Sequence, residues 1–113
     1  MKEFMLIFIG GNGNQAGLSP EQMQAQMAKW YTWIDNLRNK EIFVDGRPLE
    51  PSGKTVKGKQ PVVTDGPFAE SKELVGGYFI IKANSIEEAS AIAKESPGLE
   101  IGGVVQVREC RKM

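Results

Sequence analysis

The sequence predicts an α+β domain, an antiparallel sheet with two helices on one face. Two segments carry the apolar period and start signals of helices, one after Ser19 and one after Ser85. Short β-branched and aromatic runs precede, separate and follow them. The resulting order is strand, helix, two or three strands, helix, strand, which is that of a ferredoxin-like sheet. At 113 residues, without an internal repeat or low-complexity tract, the chain makes a single domain over residues 1–113.

Taken in order, Phe4 to Ile9 reads as the first strand, and the Gly/Asn-rich stretch from Gly10 to Leu18 as a connector able to act as a lid. Ser19-Pro20-Glu21-Gln22 is a helix start: Ser as N-cap, Pro in the first turn, and Gln three residues on to complete a capping box. The helix runs to Asn39. At about 100° per residue, Met23, Met27, Trp30, Tyr31, Trp33, Ile34 and Leu37 fall in one wide arc that should face the core. Strands follow at Ile42 to Val44 and Pro61 to Thr64, with a short extended piece at Lys54 to Val56, and another strand at Val75 to Lys82. Ser85-Ile86-Glu87-Glu88 is a second capping box, opening a helix that stops at Ser96 before Pro97-Gly98. Its arc of Ile86, Ala89, Ile92 and Ala93 is small enough to approach the sheet closely. A last strand is expected at Ile101 to Val107.

A sheet covered on one face should alternate apolar and polar residues. Phe4-Met5-Leu6-Ile7-Phe8-Ile9 and Tyr78-Phe79-Ile80-Ile81 do not, so both faces of the sheet need cover. The two helices occupy one. The cover expected for the other is the same sheet of a second copy, a face-to-face homodimer; the alternative is shielding by the Gly10 to Leu18 loop.

Composition excludes several functions. Lys plus Arg and Asp plus Glu both number 14, so no net field concentrates a polyanion and nucleic acid is not an expected partner. One cysteine, Cys110, leaves no internal disulfide and fits a reducing compartment, and no signal peptide or apolar span is present, so the expected location is cytoplasmic and no membrane partner is expected. With no histidine, imidazole catalysis, Ser-His and Cys-His nucleophiles and His-based metal sites are ruled out. Proton transfer must then use a carboxylate, lysine, tyrosine, the thiol or water. No metal or cofactor is expected.

The densest signal is Thr64-Asp65-Gly66-Pro67-Phe68, where Gly and Pro fix an abrupt turn at a strand end and hold a carboxylate and an aromatic ring there. Asp65 reads either as a working acid or base, or as an Asx cap accepting the turn's own N–H groups. The run from Thr64 to Glu73, followed by Gly76-Gly77-Tyr78-Phe79-Ile80-Ile81, resembles the YCII-related proteins with a DGPF motif; Leu49-Glu50-Pro51 and Val107-Arg108 also match. The resemblance implies small domains of the dimeric α/β-barrel type, a fold that hosts several chemistries. Some members of that group have a histidine paired with an aspartate, and a mechanism using that pair does not transfer to a chain without histidine.

Arg108 matches a family position and suits pairing with Asp65 or with a ligand acid, which favours a base or binding role for Asp65. Phe68, Trp30, Arg38 and Lys72 complete the candidate binding set. Arg38, inside the first helix's arc, either snorkels to solvent or reaches a ligand. Glu70, Lys72 and Glu73 read as a polar rim, and Lys54, Lys57 and Lys59 as an anion-attracting or simply solvated loop. Trp30, Trp33 and the five methionines read most simply as core, although Met-rich aromatic surfaces also suit an adaptable pocket. Two nucleotide patterns fail. Gly11-x-Gly13-x-x-Ala16 lacks a helix at the right distance, and Gly53-Lys54-Thr55 has Pro48 where a phosphate loop needs glycine. The expected protein is a homodimer with a small-molecule pocket near Asp65, performing cofactor-independent acid–base or elimination chemistry, or else a non-catalytic ligand-binding or regulatory module.

Overall fold

The computed structural model describes residues 1–10, 17–66 and 74–113. Among the described residues, six strands and two helices follow one another as β1 (Lys2–Ile9), α1 (Pro20–Asn39), β2 (Phe43–Pro48), β3 (Lys54–Lys57), β4 (Val62–Asp65), β5 (Val75–Ala83), α2 (Ile86–Ala93) and β6 (Val104–Glu109), with a 3₁₀ turn at Pro97–Ile101. The main sheet has the order β2-β5-β1-β6, with antiparallel neighbours throughout. This is the expected ferredoxin-like α+β arrangement, with one addition: β3 and β4 form a separate two-stranded hairpin between β2 and β5.

The start of α1 forms as its sequence dictates. The Gln22 N–H donates to Ser19 Oγ at 3.2 Å and the Ser19 N–H donates to Gln22 Oε1 at 2.8 Å, so two of the helix's orphan donors are satisfied reciprocally. At Ser85 only half of the box forms. Its hydroxyl accepts the Glu88 N–H, while the Glu88 carboxylate takes a side-chain N–H from Asn84. The second helix also ends earlier than expected, at Ala93, because Ser96-Pro97 opens the 3₁₀ turn. That turn closes on Gly102 at φ 87°, a left-handed conformation that costs glycine little, and the last strand therefore starts at Val104 instead of Ile101.

The core lies between the helices and one sheet face. Phe4, Leu6 and Phe8 of β1, Phe79, Ile81 and Ala83 of β5, Trp33 and Leu37 of α1, and Ala89 and Ala93 of α2 are buried together. The alanines let α2 lie close to the strands, as their size implies. The apolar arc of α1 is narrower than expected. Trp33 and Leu37 are buried and Trp30 and Ile34 half-buried, whereas Met23, Met27 and Tyr31 are 37%, 58% and 62% exposed. Met27 and Tyr31 sit on the flank of the arc, turned away from the line through Trp33 and Leu37.

Candidate functional site

The outer face of the sheet, away from both helices, follows from strand alternation. Phe4, Leu6 and Phe8 turn inward, so Met5, Ile7 and Ile9 turn outward, and the register sets Ile80 beside Met5 and Tyr78 beside Ile7. A bulge at β2 puts Asp45 beside Ile80 and Arg47 beside Tyr78; on the other edge, Arg108 lies beside Met5 and Gln106 beside Ile7. The result is an apolar strip of Met5, Ile7, Tyr78 and Ile80 bracketed by Asp45 and Arg47 along one edge and Gln106 and Arg108 along the other.

The two arginines differ. Arg47 Nη1 donates to Asp45 Oδ1 at 2.7 Å and to the Gly46 carbonyl at 2.7 Å, so its charge is balanced locally. Among the described residues Arg108 has no ion-pair partner. The Asp45-Gly46-Arg47 pair was missed from sequence; two residues apart on a strand, its charges share a face, and that spacing was the available signal.

The other candidate residues are scattered. Asp65 ends β4 on the hairpin, with its side chain 81% exposed, and its carboxylate is paired with Lys54, not with Arg108. An Asx cap at Asp65 would take N–H groups beyond Pro67, and Phe68, Glu70, Lys72 and Glu73 lie with them outside the described residues, as does most of the Gly10 to Leu18 connector. Trp30 is on the helix side of the sheet, edge-on to Phe8 at 4.9 Å and to Phe79 at 5.8 Å. It therefore cannot line a pocket with Arg108, since the sheet stands between them; the expected pocket of first-helix aromatics against a dimer partner is corrected on this point. Arg38 is exposed with its guanidinium 5.3 Å from the centre of the Phe43 ring, a cation–π contact that agrees with the snorkelling reading. Lys54, Lys57 and Lys59 are all exposed.

On the helix side, a cleft of about 700 Å³ runs between α1 and the 3₁₀ turn, with Trp33 in its wall and the Lys29–Glu100 ion pair, 2.6 Å, among its lining residues. A second cavity beside Trp30, Ser96 and Gly98 is only about 20 Å³, too small for a substrate. Among the described residues no cluster of acids and thiols is arranged to hold a metal. Cys110 is half-buried next to Glu3 and Glu109; its burial, and then those two negative charges, push its thiol above the ordinary value of 9.0. Among the described residues no helix is long and apolar enough to cross a membrane.

The family model for the YCII-related domain matches residues 4–113. The chain belongs to the YCII-related domain family. A search of curated protein sequences finds no match. Among solved structures, this YCII-related chain is similar to 5-chloro-2-hydroxyhydroquinone dehydrochlorinase from Burkholderia phenoliruptrix AC1100 in complex with 2,5-dihydroxybenzoquinone, at 16% identity and a TM-score of 0.50, over 96% of this chain and 93% of that one. At that identity the likeness is one of fold.

Proposed function

We propose that this YCII-related chain works as a homodimer whose outer sheet faces pack together, and that the space between them takes a small polar or aromatic molecule. The observation that carries this is the apolar strip of Met5, Ile7, Tyr78 and Ile80, which neither helix covers. Surface area supports it. The chain exposes 8119 Å², against about 6,100 Å² for a compact monomer of this mass. Its radius of gyration is 15.5 Å, against about 13 Å for a compact chain of this length.

The chemistry proposed is cofactor-independent proton transfer or elimination. Asp65 would take a proton from the substrate, the released electron pair would form a double bond, and the leaving group would depart as an anion. Arg108, with no ion-pair partner among the described residues, would hold an anionic substituent. A fold neighbour whose name is that of a dehydrochlorinase makes elimination the reaction class to try first. One observation favours a second reading, a ligand-binding module without turnover: Asp65 is exposed and already engaged by Lys54.

Thermal denaturation with 2,5-dihydroxybenzoquinone and small aromatic acids tests the proposal, because a ligand that binds only the folded state raises the melting temperature by mass action. Binding with turnover that disappears in Asp65→Asn supports the enzyme; turnover that survives in that variant ends the role of Asp65. Binding without conversion supports the second reading.

A further inference from the structure

We infer that Tyr78 and Arg108 bind the two ends of one ligand, an aromatic ring with a carboxylate at one end and an oxygen at the opposite end, laid across Ile7 and Met5. This rests on the reading of the outer sheet face as the ligand site, given above, and names the class of molecule that the face takes.

Register supplies the geometry. β1 lies between β5 and β6, so two rows cross the outer face: Tyr78, Ile7 and Gln106 in one, and Ile80, Met5 and Arg108 in the next. These side chains share a face because the residue between each pair turns to the core: Leu6 on β1, Phe79 on β5 and Val107 on β6. Tyr78 and Arg108 are therefore diagonal to each other, two strands apart in one direction and two residues apart in the other. At about 4.8 Å per strand and about 3.4 Å per residue, their Cα atoms are about 12 Å apart. Side chains stand roughly upright on a sheet, so the phenol and the guanidinium keep a similar separation. A six-membered ring with para substituents, accepting a hydrogen bond of about 2.8 Å at each end, is of that length.

The chemistry along the diagonal fits the same molecule. Tyr78 is half-buried, and among the described residues its hydroxyl makes no hydrogen bond. A phenol at the edge of an apolar strip is a polar handle for a ligand oxygen. Arg108 has no ion-pair partner among the described residues, and its guanidinium fork matches a carboxylate through two parallel hydrogen bonds. Between them Ile7 and Met5 are half-buried and apolar, a floor for the flat face of a ring, to which the methionine sulfur adds a favourable contact.

The opposite edge does not compete for the acid. Arg47 shares the row of Tyr78, but its guanidinium is committed to Asp45 and to the Gly46 carbonyl. The carboxylate is thus directed to Arg108 and the far oxygen to Tyr78, the order found in 4-hydroxybenzoate and its analogues.

Calorimetric titration with benzoate, 3-hydroxybenzoate and 4-hydroxybenzoate tests this on wild type, Tyr78→Phe and Arg108→Ala, with circular dichroism to establish folding. Wild type should bind 4-hydroxybenzoate about three- to tenfold more tightly than benzoate, the effect of one added hydrogen bond, and 3-hydroxybenzoate no more tightly than benzoate. Tyr78→Phe should keep the affinity for benzoate and lose the preference. Arg108→Ala should weaken benzoate and 4-hydroxybenzoate alike, by about tenfold or more. A preference that survives in Tyr78→Phe overturns the role of Tyr78, and unchanged binding in Arg108→Ala overturns the anionic end. Equal affinity of wild type for all three acids overturns the diagonal placement and leaves the outer face standing as a site for aromatic acids. Wild type that binds none of them overturns the inference; the outer-face reading then stands only if 2,5-dihydroxybenzoquinone still raises the melting temperature.

Discussion

Lys54 and Asp65 stand opposite each other at the open end of the β3–β4 ladder, and the lysine ammonium donates to the aspartate carboxylate. The acid that the turn motif singles out is thus partnered by a lysine across a hairpin, with 66% and 81% of the two side chains exposed. An ion pair that open to water is screened and contributes little to folding.

Replacing Asp65 by Asn should therefore leave the melting temperature within about 2 °C of wild type. Thermal denaturation followed by circular dichroism checks this. A much larger loss would mean that the carboxylate works mainly as a turn cap.

Close approach of two strands makes a second prediction. A Cβ at Gly46 would lie 2.5 Å from Phe79 Cδ1, and one at Gly77 would lie 2.7 Å from the Arg47 carbonyl oxygen. The ring can shift a little, but the Gly46 Cβ would also lie 2.9 Å from the Tyr78 carbonyl oxygen, and a backbone carbonyl in a paired strand gives way at neither site. Gly46→Ala and Gly77→Ala should each cost about 1–3 kcal/mol or more, as measured by urea denaturation.

These cases mark what the sequence reveals. Both helix starts are written in local chemistry, Ser19 with Gln22 and Ser85 with Glu88, and both appear. The two-faced apolar pattern of β1 and β5 gives the sheet and the half-buried apolar strip on its outer face. The width of the α1 arc is less legible, since period alone cannot tell Trp33, over the sheet, from Tyr31, on the flank. Turn chemistry and a family pattern single out Asp65 and Arg108 as candidates, but a one-dimensional reading could not show that the sheet separates Trp30 from Arg108, or that Lys54 pairs with Asp65.

Cys110 supplies a pH test. Burial, with Glu3 and Glu109 nearby, disfavours the thiolate, which is the nucleophile. Alkylation by iodoacetamide should be slower at neutral pH than for a free thiol, and the rate should rise with pH to a midpoint above 9.0. A midpoint below that value would contradict the assignment.

Arg108 is exposed on the outer face and has no ion-pair partner among the described residues. Arg108→Ala should change stability by about 0.5 kcal/mol or less, yet weaken binding of an anionic aromatic ligand by about tenfold or more. Calorimetric titration of wild type and variant separates the two effects.

The most direct measurement is the mass of the wild-type protein in solution by sedimentation equilibrium at micromolar concentration. Concealment of the Met5, Ile7, Tyr78 and Ile80 strip by a second copy predicts a particle of twice 12.4 kDa. A particle of 12.4 kDa would contradict it.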